Sequence, residues 1–149
     1  MNGGGEGERK RERERKRERS LTYDLDAGHA WYLVHCKPNS EQMALRNLEN
    51  QDFTAFLPLQ KLTNRKSSGF QTRIRPLFPG YMFVAQDPIA GRWRKINSTR
   101  GVARLVCLAA EPTPVPLLIM NELFERCDAN GVFQRSEKLV NGDVVKISQ

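Results

Sequence analysis

The 149-residue chain predicts an α+β fold, with helices laid against an antiparallel sheet. Two observations carry this. Runs with strand-like and helix-like apolar spacing follow one another in the order β-α-β-β-α-β-α. Within that order, Pro76-Leu77-Phe78-Pro79-Gly80 opens Tyr81-Met82-Phe83-Val84, a turn that launches a buried strand. A polar hook, Ile96-Asn97-Ser98-Thr99-Arg100-Gly101, then precedes another apolar run from Val102.

Taken in order, residues 1–29 form a tail. Gly3 to Gly5 are flexible, and Glu6 to Arg19 is almost wholly Glu, Arg and Lys, with no apolar stripe to bury. The tail is expected to be disordered. A solvated helix held by opposite-charge pairs and a non-specific grip on nucleic acid are the alternatives. Trp31 to Cys36 is aromatic and β-branched, a strand. Asn39 is placed to cap a helix over 40–51, with Gln42 reaching back and Ala44, Leu45 and Leu48 on one face. Phe53 to Leu59 reads as the second strand. Lys61 to Arg75 is polar and basic around Ser67-Ser68-Gly69, either a hairpin-like excursion or a mobile loop. Leu77 to Ala85 is the third strand. Pro88 opens a short helix to about Lys95, and Val102 to Leu108 is the fourth strand. The prolines of Glu111 to Pro116 predict an extended linker without ladder bonds. Pro116 then starts a helix with Ile119, Met120, Leu123, Phe124 and Cys127 at helical spacing, stopped near Gly131.

Composition narrows the function. The net charge is +7. The Glu6–Arg19 run holds eight basic and five acidic residues, so it accounts for +3 and leaves +4 elsewhere. A basic balance suits an anionic partner such as nucleic acid, or serves solubility alone. No apolar run nears the roughly 20 residues of a membrane span, and no h-region marks a signal peptide. Cys36, Cys107 and Cys127 are far apart, and the histidines are His29 and His35. No zinc site, disulfide framework or cofactor is expected, and reduced thiols fit a cytoplasmic protein. No catalytic constellation emerges. His35 and Cys36 are adjacent on a strand and point to opposite faces. Asp24 and Asp26 are a lone acidic pair in the tail, and Gly3 to Gly5 belong to no phosphate-binding strand-helix unit. The chain is not expected to be an enzyme.

The Phe78-Pro79-Gly80-Tyr81-x-x-Val84 and Thr99-Arg100-Gly101-Val102 segments resemble the N-terminal domain of the NusG/RfaH family of transcription elongation factors. The resemblance covers Trp31 to Asp128. It implies a ferredoxin-like antiparallel four-stranded sheet flanked by helices over residues 30–128. Asn141 to Ile147 looks like the opening strand of the family's KOW barrel. Residues 129–149 are therefore expected to be a linker and a truncated first strand, with Gly131 to Gln149 poorly anchored.

The resemblance also implies a role. In the family, an apolar patch docks on the clamp helices of the largest catalytic RNA polymerase subunit. A second segment faces the opposite jaw at its gate loop. By position, His35, Phe78, Pro79, Tyr81, Phe83, Arg92, Trp93 and Ile96 become candidates for polymerase contact. Lys37, Arg46, Gln51, Arg73, Arg75, Asn97, Thr99 and Arg100 become candidates for upstream or non-template DNA. The specialised branch carries a His and basic residues where this chain has Met43, Asn47 and Asn50, a departure that bears on sequence-specific readout. The implied protein is a monomer that suppresses pausing and favours processive elongation. The rival is a free-standing RNA- or DNA-binding module whose sheet aromatics stack bases, although that module's signature is missing.

Overall fold

The computed structural model describes residues 23, 25, 28–87 and 92–135. The charged run of the tail, Asp24, Asp26, the helix start expected at Pro88 and the strand expected at Asn141–Ile147 lie outside the described residues. The elements are β1 (Ala30–Cys36), α1 (Glu41–Glu49), β2 (Thr54–Phe56), β3 (Leu59–Lys66), β4 (Gly69–Pro76) and β5 (Tyr81–Gln86), then α2 (Trp93–Asn97), β6 (Val102–Leu105), β7 (Cys107–Leu108), β8 (Glu111–Pro112), β9 (Pro114–Val115) and α3 (Leu117–Arg126). The main sheet is antiparallel in the order β2-β5-β1-β6, with β9 also on β1. With the β3–β4 hairpin set aside, the second strand is followed by the third, first and fourth. That is the ferredoxin-like order, and the α+β expectation holds.

Period-two alternation divides this sheet into two buried faces. Tyr32, Val34 and Cys36 of β1, with Met82 and Val84 of β5, pack under Ala44 and Leu48 of α1 and Ile96 of α2. Trp31 of β1 and Phe83 and Ala85 of β5 face the other way, against Phe56 and against Met120 and Phe124 of α3. Trp31 meets Phe124 edge-on at 5.5 Å, and Tyr23 joins them at 5.2 Å from each ring. Burial, with Glu49 nearby, pushes the Tyr23 hydroxyl up to about 12. Cys36 and Cys127 are both sealed in. Burial raises each thiol to about 11, with Glu41 adding to Cys36 and Asp128 to Cys127. Neither is a thiolate near neutral pH, so they behave as small apolar core residues.

Several expectations are corrected. Asn39 does not cap α1: it adopts φ 57°, Ser40 takes the N-cap position, and the Ser40 hydroxyl donates to the Pro38 carbonyl at 3.1 Å. The third strand begins at Tyr81, because residues 77–80 form the turn before it. Among the described residues the short helix runs Trp93–Asn97, two residues past the expected end at Lys95. Residues 111–116 do make ladder bonds. Pro112 pairs with Cys107 and Pro114 with Tyr32, both at strand margins where a missing N–H is tolerated. Helix α3 ends at Arg126, ahead of Gly131. The segment after it is tied down as far as Gln134. Gly131 accepts from the Leu59 amide at 2.9 Å, the Phe133 amide donates to Leu59 at 2.8 Å, and the Gln134 amide donates to Arg126 at 2.7 Å. The polar stretch after β2 is an ordered hairpin whose register runs from Leu59↔Pro76 to Lys66↔Gly69.

Candidate functional site

The Trp31 end of the second face lies under α3, and the opposite end carries an open patch. Phe78-Pro79-Gly80-Tyr81 forms a tight turn closed by the Tyr81 amide donating to the Phe78 carbonyl at 2.9 Å. Pro79 suits the second position and Gly80, at φ 86°, the third, where a side chain would be strained. The Gly80 carbonyl also accepts from Cys36 at 2.8 Å, which fastens the turn to the end of β1. Tyr81 then lies opposite His35, with ring centroids 5.1 Å apart. Phe78 leans edge-on against Phe83 at 6.4 Å.

Exposure separates these rings. Phe78 is 43% exposed and Tyr81 37%, whereas Phe83 is 7% exposed and stacks on Phe56 at 6.1 Å. Phe83 therefore floors the patch from inside the core. His35 is half-buried and Pro79 exposed at its rim.

Arg104 belongs to the same end of the sheet, and the sequence reading missed it. It lies opposite His35, while Val102 lies opposite Cys36. Two steps on β6 thus match one on β1, a β-bulge centred on Ala103. Strict alternation would group Arg104 with Val102 in the core. The bulge turns it to the exposed side beside His35.

The remaining polymerase candidates lie elsewhere. Ile96 is fully buried in the first face, and Trp93 meets Tyr32 edge-on at 4.7 Å there. Arg92 lays its guanidinium over the Phe53 ring at 4.2 Å and donates to the Gln51 carbonyl at 3.2 Å. The structure does not bring these three together with the Phe78–Tyr81 patch, and Ile96 offers no surface to a partner.

The nucleic-acid candidates divide similarly. The Gln51 amide donates to Thr99 Oγ1 and to the Asn47 carbonyl, both at 2.9 Å, and Thr99 Oγ1 donates to Lys95 at 2.8 Å. Thr99 is 5% exposed. Asn97 Oδ1 accepts from the Leu105 amide at 2.8 Å. These three side chains hold the hook in shape. What the hook presents outward is Arg100, whose carbonyl is fixed by Asn47 Nδ2 at 3.0 Å. Lys37 and Arg46 are exposed on the body of the domain, and Arg73 and Arg75 on β4. Among the described residues no group of His, Cys, Asp and Glu could hold a metal ion, and no helix is long and apolar enough to cross a membrane.

The chain is similar to the transcription termination/antitermination proteins NusG of Streptomyces coelicolor, Helicobacter pylori strain 26695 and Staphylococcus aureus strain N315. The Streptomyces protein is 30% identical over 96 residues, which cover 58% of this chain and 32% of that protein. For Helicobacter the values are 25% over 127 residues, 78% and 72%. For Staphylococcus they are 31% over 98 residues, 59% and 54%. This chain thus spans about a third to under three-quarters of the relatives it matches. A solved structure described as domain interaction in Thermotoga maritima NusG aligns over 62% of this chain and 53% of that one, at 24% identity and TM-score 0.46. The family model described as transcription termination factor nusG matches residues 29–124, well over half of the sequence, and the chain belongs to the NusG family.

Proposed function

We propose that this chain is the polymerase-binding part of a transcription elongation and antitermination factor. It docks on the clamp helices of RNA polymerase through Phe78, Pro79, Tyr81 and His35, with Phe83 as the floor. The observation that carries this reading is a pair of exposed aromatic rings at the end of a sheet face whose other end is covered by α3. Aromatic anchors at a groove dominate helix-in-groove recognition. Arg104, beside His35, adds a charged rim. A ligand that binds only the closed clamp shifts the polymerase toward that state, which disfavours pausing. Arg92 and its neighbours face the gate loop, and Arg100, with Lys37 and Arg46, lies toward the upstream or non-template DNA.

The competing reading of a base-stacking sheet has little support. Trp31 and Tyr32 are each 2% exposed, so these sheet aromatics present no platform to a base.

The test is co-purification with core RNA polymerase. Phe78→Ala combined with Tyr81→Ala should abolish it while the circular dichroism spectrum and melting curve stay close to the parent's. Retained binding by a folded double variant would rule out the docking surface. Separately, Arg100→Ala should reduce the salt dependence of binding to elongation-complex DNA by about 0.7–0.9 of a log-log slope unit, the share of one phosphate contact. An unchanged slope removes Arg100 from the DNA face.

A further inference from the structure

The β3–β4 hairpin is a basic, exposed ribbon that can meet a polyanion. Between Leu59 and Pro76 lie Lys61, Arg65, Lys66, Arg73 and Arg75, with no acidic residue, a net +5. The whole chain carries +7 and the Glu6–Arg19 run +3, so everything outside the tail run and the hairpin sums to −1. The ribbon is therefore one of two segments of the folded part that carry +5 without an acidic residue, the other being residues 92–104.

The register puts two of those charges, Lys61 and Arg65, on one face with an aromatic ring. Arg65 lies opposite Phe70, Thr63 opposite Thr72 and Lys61 opposite Ile74, so these six share one face of the ribbon. Phe70 is 77% exposed, next to the turn at Ser67-Ser68. It contributes little to any core. The opposite face carries Arg73, Arg75 and Lys66. The base is rigidly held. Leu77 donates to Pro58 at 2.8 Å on one side, and Leu59 exchanges bonds with Gly131 and Phe133 on the other.

We propose that this hairpin is an arm for single-stranded nucleic acid. Phe70 stacks on a base, and Arg65 and Lys61, on the same face, take the flanking phosphates. An exposed ring among cations is the combination that holds single strands, because every base has a stacking face. A duplex offers the phosphates but keeps its bases stacked on one another, so it gives Phe70 nothing to cover. The proposal does not depend on polymerase docking.

Fluorescence anisotropy with labelled dT12 and with a 12-base-pair duplex tests it on the full chain without polymerase. Phe70→Ala should weaken dT12 binding roughly tenfold, the worth of about one stacked base, and change duplex binding by less than about twofold. Lys61→Gln with Arg65→Gln should lower the salt slope on dT12 by about 1.4, from two single-strand phosphate contacts. Absence of dT12 binding, unchanged affinity in Phe70→Ala, or an equal loss on duplex would each overturn the arm. Phe70→Ala should still co-purify with polymerase, so failure of the arm and failure of the docking surface are read separately.

Discussion

Phe83→Ala is expected to cost on the order of 3–5 kcal/mol of folding stability, the usual range for deleting a buried Phe ring. Tyr81→Ala, two residues earlier on the same face of the same strand, should cost far less. The difference follows from position along the strand. Phe83 sits between Leu33 and Phe56 in the paired register and stacks on Phe56 at 6.1 Å. Removing it leaves a cavity beneath α3 with Phe56 and Phe78 on its walls. Tyr81 is 37% exposed and rests on His35 alone among the ring contacts of the described residues, so its loss should resemble that of an edge residue. Chemical denaturation of the two single variants measures both. If Phe83→Ala melts like the parent, the ring is not the floor assigned to it. A variant pair built as Tyr81→Ala with Phe83→Ala would confuse unfolding with lost binding, which is why Phe78 and Tyr81 are the informative pair at the patch.

The turn before β5 was legible because Pro-Gly admits few conformations, and its neighbours Phe78 and Tyr81 could be placed from it. The face of Phe83 was legible as well, but its depth was not. Period two says which side a residue is on, while how far α3 reaches along that side depends on where a distant helix packs. Ile96 and Trp93 mark the same limit. They follow the aromatic strand closely in sequence, yet α2 folds onto the opposite face and carries them away from the patch. Arg104 was hidden by the bulge at Ala103, which leaves no pattern in the local residue types. The hairpin was left between an excursion and a loop because its strands are exposed on both sides. Strands of that kind show no apolar alternation, and only the cross-strand bonds define them. The prolines of 111–116 misled for a related reason. Proline forbids a donor but not an acceptor, so an edge position can still pair.

Gly101→Ala should be among the most damaging single changes in the chain, and its neighbours in space explain why. Gly101 holds φ 98°, a conformation that strains any L side chain. A Cβ there would stand 2.8 Å from the Ala44 nitrogen and 3.1 Å from both the Ala44 Cα and the Ser40 carbonyl oxygen, all backbone atoms of the start of α1. Backbone cannot rotate aside as a side chain would, so α1 must move off the sheet or the Lys37–Gly101 hydrogen bond of 2.9 Å must break. Strain of about 1–3 kcal/mol from the dihedral and a similar amount from overpacking add to a large share of a domain's usual margin of roughly 5–15 kcal/mol. Gly80→Ala is the control. Its φ is 86°, so it bears comparable dihedral strain, but the nearest atom to its Cβ is His35 Cδ2 at 3.9 Å. Thermal melts should therefore show Gly101→Ala destabilised well beyond Gly80→Ala. Equal losses would mean that the close approach of α1 is not what requires glycine here. The same displacement would release the Arg100 carbonyl from Asn47, so any folded Gly101→Ala protein should also lose the salt-dependent DNA contact assigned to Arg100.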